Sequence, residues 1–467
     1  MKKKLFSLVM VVAAVGLLGS CSGNTSSSTN ATDGGKVLNI ECWNTEFEGR
    51  FRHYCKDMLS NATEDDPLYA NSTATDKKWA VPDADGNFTM KDGTKVVFKI
   101  TDNKNNGYQN ALDVDLFNQD QAEADNKVDM FMVEADYALK YVKSNSTCDV
   151  IKDIGLTEAD MADQYQYTKD IVKDASGNIK GTTWQACPGL YAYRRDIAKD
   201  VLGSDDPATV QAALADWTKF NSVAASAKAK GYYMVSGYDD AYRPFSNNVS
   251  APWVDANKKI VVDQKIKDWI SQTKTFSEKG YNHGTSLWNS DWTADQTMAG
   301  KVFGFFYSTW GINFTLKDNA GDAGFGKWAV CQGPASYYWG GSWISAAKGT
   351  DNKSQIAKIM KRMTCDKATL KQITLDTLDY TNNKSAMNEI AADKTYGAAF
   401  LGGQNHIALF AKAAETINMS NISAYDQGLN EGLQEAMKDY FLGTISEDKA
   451  WENFYKAIAV KYPSLSH

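Results

Sequence analysis

Apolar and polar positions along this 467-residue chain fall into two rhythms. Short β-branched or aromatic runs predict strands at 37–43, 95–100, 128–134, 190–194, 232–237, 302–307 and 343–347. Between them apolar residues recur every three to four positions, which is the spacing of one helix face. One helix is predicted to start at Asp206 and Pro207, a cap followed by a first-turn proline, and to carry Val210, Leu214 and Trp217 on one face. Another aligns Leu429, Leu433, Met437 and Phe441 and stops at Gly443. The last follows Ser446 and aligns Trp451, Phe454, Tyr455 and Ile458. Trp217 and the aromatic residues of these stripes are assigned to the core, because helical spacing accounts for them. Asp83 to Gly86 and Asp174 to Gly177 carry the residues of hairpin turns. Strands that alternate with helices predict an α/β fold of parallel units.

The first residues break both rhythms. Lys2, Lys3 and Lys4 precede an apolar stretch from Leu5 to Leu18, then Gly19, Ser20 and Cys21. That stretch is shorter than the roughly 20 residues a membrane span needs, so residues 1–20 read as a cleaved signal segment. Leucine, two small residues and cysteine resemble the lipobox of bacterial lipoproteins, in which the cysteine thiol takes a diacylglyceride. The resemblance implies a lipid on Cys21 and attachment to the membrane from outside the cytoplasm. Residues 22–36 are mainly Ser, Thr, Asn and Gly, a composition that buries no core and acts as a flexible linker.

Composition narrows the remainder. Apolar content of 43% and charge of 23% are those of a globular protein, and more than 400 residues imply two lobes. The net charge of -7 is spread without a basic run, which excludes nucleic acid as a partner. Cys42, Cys55, Cys148, Cys187, Cys331 and Cys365 show no CxxC pair. Disulfides and buried free thiols both stay open, with free thiols preferred. The four histidines are scattered, and Asp83, Asp85 and Asn87 lack the glycine and glutamate of a calcium loop, so no metal or cofactor is expected.

Six stretches, in order, resemble the extracellular solute-binding proteins of carbohydrate ABC importers, the group that includes maltose-binding proteins. They are the strand at 38–43 running into Asn44, Thr45 and Glu46; VDMFMVEADY at 128–137; IKGTTWQACPGLYAYRRD at 179–196; Trp217 in a helix following a proline; 300–310 ending in Trp310; and YYWGGSWISAAK at 337–348. The resemblance implies a two-lobed periplasmic-binding-protein-like fold of type II with a ligand cleft between the lobes. One lobe is expected at 37–173 plus 333–411, the other at 174–332 plus 412–467. It further implies a monomer that is not an enzyme and that delivers a sugar or oligosaccharide to the permease subunits of an ABC transporter.

Sugars present hydroxyls to polar groups and a flat C–H face to aromatic rings. Open α/β sheets bind ligands at strand ends. The candidates with that placement are Trp43, Asn44 and Glu46; Glu134 and Asp136; Trp184 and Gln185; Tyr238, Asp239, Asp240 and Arg243; Trp310; and Trp339, Gly340 and Gly341. Trp43 and Trp184 read equally as core aromatics, and Asp136, Asp239 and Asp240 as caps. Trp288 and Trp292 fall in a loop and receive no role. Two other functions are open: a glycoside hydrolase using Glu134 with Asp136 or Asp239 with Asp240, and a surface glycan-binding adhesin. Cys187 as a nucleophile lacks a histidine motif beside it.

Overall fold

A computed structural model of the chain describes residues 34–69 and 76–467. The signal segment, Cys21 and the linker up to residue 33 lie outside the described residues.

Two sheets organise the molecule. The larger has six strands in the order Phe88–Thr89, Lys95–Ile100, Val37–Cys42, Met130–Glu134, Ser342–Ala346 and Thr182–Thr183. Val37–Cys42 runs parallel to both neighbours, with Val37 opposite Lys95 and Ile40 opposite Met130. Helices cover both faces of such a sheet, which is why Met130–Glu134 is apolar and buried as far as Val133. The smaller sheet places Gly189–Arg194 between Gly304–Ser308 and Trp328–Cys331. All six residues of that central strand are buried. A separate parallel pair joins Val235–Gly237 to Asn282–Thr285.

The α/β class expected from the sequence is therefore present in a two-lobed form, but its sheets are mixed. Ser342–Ala346 is antiparallel to Met130–Glu134, and the smaller sheet is antiparallel throughout. The reason is connectivity. Strands that arrive from the other sheet need not follow the right-handed parallel crossover that a βαβ unit imposes. The chain leaves the larger sheet after Thr183 and enters the smaller one at Gly189, downstream of the division expected at 173. It returns between Cys331 and Ser342, and position 411 lies within the helix His406–Ala414.

One predicted helix is two. Asp206 caps Pro207–Ala213 by accepting from the Thr209 N–H, and Leu214 closes it. Asp216 then caps a new helix, Trp217–Ala229, through the Lys219 N–H. A second N-cap so close to the first interrupts the stripe, so Val210 and Trp217 do not share a helix. The stripes at Leu429, Leu433, Met437 and Phe441 and at Phe454 and Ile458 are buried as expected, whereas Trp451 and Tyr455 are half-buried. All six described cysteines are free thiols. Among the described residues no helix is long and apolar enough to cross a membrane.

Candidate functional site

Where the chain passes between the sheets, a buried carboxylate gathers segments far apart in sequence. Asp379 is fully buried. One of its oxygens accepts from Arg50 Nη2 at 2.9 Å and Gln185 Nε2 at 3.0 Å, and the other from Thr309 Oγ1 at 2.5 Å. Glu46 Oε1 accepts from the same Arg50 and Gln185 side chains. Gln185 Oε1 takes the Ser342 N–H at 3.0 Å. Every buried charge here has an opposite partner, the condition under which it is tolerated. Arg50 Nη1 is buried without a hydrogen-bond partner.

Above this network opens a cavity of about 820 Å³, within the size range of small-molecule sites. Trp43, Asn44 and Glu46, where Val37–Cys42 runs into the helix Glu46–Tyr54, form one wall. Glu134 and Asp136, at the junction of Met130–Glu134 with the helix Ala135–Val142, continue it. Arg243 and Trp310 face them from the segments around the smaller sheet, while Trp339, Gly340 and Gly341 line the return crossing. Gln185 lies at the floor. Eleven of the fifteen residues singled out in the sequence therefore line one cavity.

The aromatic wall is tightly specified. Trp310 and Trp339 meet edge to face with centroids 5.2 Å apart, and Trp310 Nε1 donates to the Trp339 carbonyl at 2.9 Å. Gly340 has φ +80°, and a Cβ there would sit 2.7 Å from Trp310 Nε1, so both backbone conformation and space demand glycine. Across the cavity, Arg243 Nη1 donates to Asp136 Oδ1 at 2.5 Å and Nη2 donates to Asp136 Oδ2, a bidentate pair. Its guanidinium also lies 5.9 Å from the Trp339 ring centroid. Glu134 caps the helix through the Asp136 N–H at 2.9 Å. Burial, with Asp136 close by, pushes the Glu134 carboxyl up to about 8 against the pull of Arg243, so it keeps its proton near neutrality. Burial likewise raises Glu46 despite Arg50.

Four sequence candidates are not cavity residues. Trp184 is fully buried, stacks on Phe47 at 5.4 Å and lies beneath the Arg50 guanidinium. Tyr238, Asp239 and Asp240 are buried as well. Asp240 accepts from the Ser236 and Gly237 N–H groups and from Trp292 Nε1. Asp239 accepts from Ser286 Oγ and the Leu287 N–H, and the Tyr238 hydroxyl donates to Ser286 Oγ. These groups are spent on their own backbone and on the loop opposite. Burial pushes Asp239 up to about 6, and burial together with Asp239 pushes Asp240 up to about 7.

Arg50, Asp66, Trp79, Trp288 and Phe314 line the cavity without having been singled out. Arg50 had a signal in its position four residues after Glu46. Asp66 follows the strand Thr63–Asp65 and Trp79 lies in Lys78–Ala80, which pairs antiparallel with it; three-residue strands are too short to show a period.

Comparison with known proteins agrees with this architecture. No curated protein matches the chain. Among solved structures, an extracellular solute-binding protein of family 1 superposes with TM-score 0.69 at 16% identity, covering 90% of this chain and 98% of that one. The ABC transporter associated binding protein of B. animalis subsp. lactis Bl-04, in complex with β-1,6-galactobiose, gives 0.63 at 15% identity, covering 92% and 99%. The GacH receptor of Streptomyces glaucescens, solved unliganded and with acarbose, gives 0.61 at 14% identity, covering 92% and 100%. At such identities the likeness is one of fold. The family model described as bacterial extracellular solute-binding protein matches residues 87–418, most of the chain, and with the two-lobed cleft it establishes that this chain belongs to the bacterial extracellular solute-binding proteins.

Proposed function

We propose that the cleft captures a sugar or oligosaccharide and that the protein hands it to the permease subunits of an ABC importer. The observation that carries this reading is the pairing of an indole wall, Trp310 and Trp339, with polar groups opposite, Asn44, Glu46 and Glu134, around one cavity. Rings take the C–H face of a pyranose and the polar groups take its hydroxyls. The fold neighbours described with β-1,6-galactobiose and acarbose support the same class.

A binding protein is preferred to a glycoside hydrolase because the acids expected to act are already committed. Asp136 is held by Arg243, while Asp239 and Asp240 are buried in loop contacts. Cys187 is fully buried, and burial raises its thiol pKa far above the usual value. In this reading the lobes are those expected from the sequence, with the first crossing moved beyond Thr183. The protein is a monomer, tethered outside the cytoplasm through a lipid on Cys21. The Ser/Thr/Asn/Gly-rich linker composition fits a tether that keeps it at millimolar-scale effective concentration near its transporter.

A thermal-shift screen with a panel of neutral glycans tests the ligand class. At least one saccharide is expected to raise Tm in proportion to the logarithm of its concentration. A panel in which amino acids or peptides raise Tm and no saccharide does would overturn it. For the tether, Cys21→Ser should release the protein from the membrane fraction.

A further inference from the structure

Trp288 is the only exposed tryptophan of the thirteen in the chain, 59% accessible, and it stands at the cavity rim. Its ring is near-parallel to Trp310, with centroids 6.1 Å apart and planes at 21°, and lies 6.2 Å from Trp339. A single exposed apolar side chain is ordinary, but Trp288 shares one cavity lining with Trp310, Trp339 and the exposed Phe314, and a contiguous apolar patch marks a binding surface. Its backbone is also unusual, because φ is +71°, a region that bulky side chains rarely adopt. Such strain persists only where surrounding contacts over-determine it, and those positions concentrate in ligand clamps.

The contacts that do so are the ones that keep Asp239 and Asp240 out of the cavity. On one side of Trp288, Leu287 N–H donates to both Asp239 oxygens at 3.1 Å, and Ser286 Oγ donates to Asp239 Oδ2 at 2.8 Å. On the other side, Asn289 caps the helix Ser290–Asp295 through the Trp292 N–H, and Trp292 Nε1 donates to Asp240 Oδ1 at 2.9 Å. The loop is thus pinned to the end of Val235–Gly237 on both sides of the strained residue.

We propose that Trp288 is the stacking platform of an outer sugar subsite, beyond the one formed by Trp310 and Trp339, and that Asp239 is the positioning residue that holds it there. This rests on the carbohydrate reading above. The ligand that uses it is a neutral oligosaccharide long enough to carry an extra pyranose past Trp310. Stacking on a ring is selective for a sugar face over free hydroxyls, so the subsite discriminates by chain length.

The test uses the full chain and a series of neutral oligosaccharides from di- to pentasaccharide of the linkage that raises Tm most in the glycan screen, with affinities measured by calorimetry. Trp288→Ala is expected to weaken the longer saccharides about tenfold and the shortest by less than threefold. Trp288→Phe should recover most of the loss. Asp239→Asn should reproduce the length-selective loss, which a general folding defect would not. Trp288→Gly separates the platform from a packing role. It removes the left-handed strain, so Tm should hold or rise while affinity for the longer sugars falls. A Trp288→Gly protein that loses Tm, or a Trp288→Ala protein that weakens all lengths equally or none, overturns the proposal. Failure of the wild type to bind any saccharide overturns the carbohydrate reading instead, so the two failures are distinguishable.

Discussion

Arg243 and Asp136 meet in the cavity lining and pair through Nη1 and Nη2 of the guanidinium and both carboxylate oxygens. Each side chain is mostly buried, so the pair is a clamp between the segments around the smaller sheet and the larger sheet. Hinge closure in two-lobed proteins is driven by contacts present only when both lobes are engaged, and this is one that the protein makes with itself. Arg243→Leu, which leaves Asp136 unpaired, is expected to enlarge the radius of gyration of the ligand-free protein in solution scattering. Apparent affinity should fall more than tenfold, because closure then depends on the ligand alone. An unchanged scattering profile would show that the pair does not hold the cleft closed.

Arg50 belongs to a different balance. It pairs with the fully buried Asp379, and Glu46 shares it. Arg50→Met should therefore destabilise by about 3 kcal/mol in urea unfolding, the scale for stranding one member of a buried ion pair. Gln185→Met, which removes a neutral donor, should cost less, about 1–2 kcal/mol.

Glu134 makes stability depend on pH. Its folded pKa, about 8, lies above its ordinary value of 4.5, so the fold prefers the protonated form. The native state then binds more protons than the unfolded chain between those values, and stability falls as pH rises through that window. Asp239, raised to about 6, and Asp240, raised to about 7, act in the same direction. Thermal melts from pH 5 to 8.5 should show Tm declining with pH, and Glu134→Gln should flatten the decline. An unaltered slope in that variant would mean that Glu134 ionises normally.

The two cations of the cavity lining, Arg50 and Arg243, are each engaged by carboxylates. Among the described lining residues an acidic sugar would find no further cation, and it would approach Glu46 and Asp136 as a like charge. Replacing a neutral hexose of a bound saccharide by its uronic acid is expected to weaken binding at least tenfold by calorimetry, with the penalty smaller at high salt.

Gly340→Ala should cost about 1–3 kcal/mol, since alanine must adopt φ +80° and push against Trp310. Chemical unfolding measures it. The same substitution at Gly177, whose φ is +82° but whose surroundings are open, should cost less.

Much of this molecule was legible from pattern alone. Residues 130–133 are buried on both faces and so read as an apolar run, and Leu429 through Phe441 keep strict helical spacing. Cavity residues at strand ends, such as Glu46, Glu134 and Trp310, were found because their position in the fold decides their exposure. Other features escape a linear reading. Arg50 meets Asp379 across 329 residues, a distance that no local period encodes. A carboxylate at the end of a strand looks the same whether it lines the cavity, as Asp136 does, or braces a loop, as Asp239 does. The second N-cap at Asp216 was hidden because Trp217 continues the apolar spacing of the helix before it. Trp288 shows nothing of its placement in sequence, because a left-handed backbone leaves no trace in residue type when the residue is not glycine or asparagine.

The edge-to-face packing of Trp310 and Trp339, with Trp288 beside them, gives the cleft an optical character of its own. Indoles 5 to 6 Å apart at fixed angles couple their electronic transitions, so this cluster should contribute a signal of its own to the near-ultraviolet circular dichroism of the protein. A change in the tilt of any one ring then alters the spectrum, and the protein reports the state of its cleft without an added label.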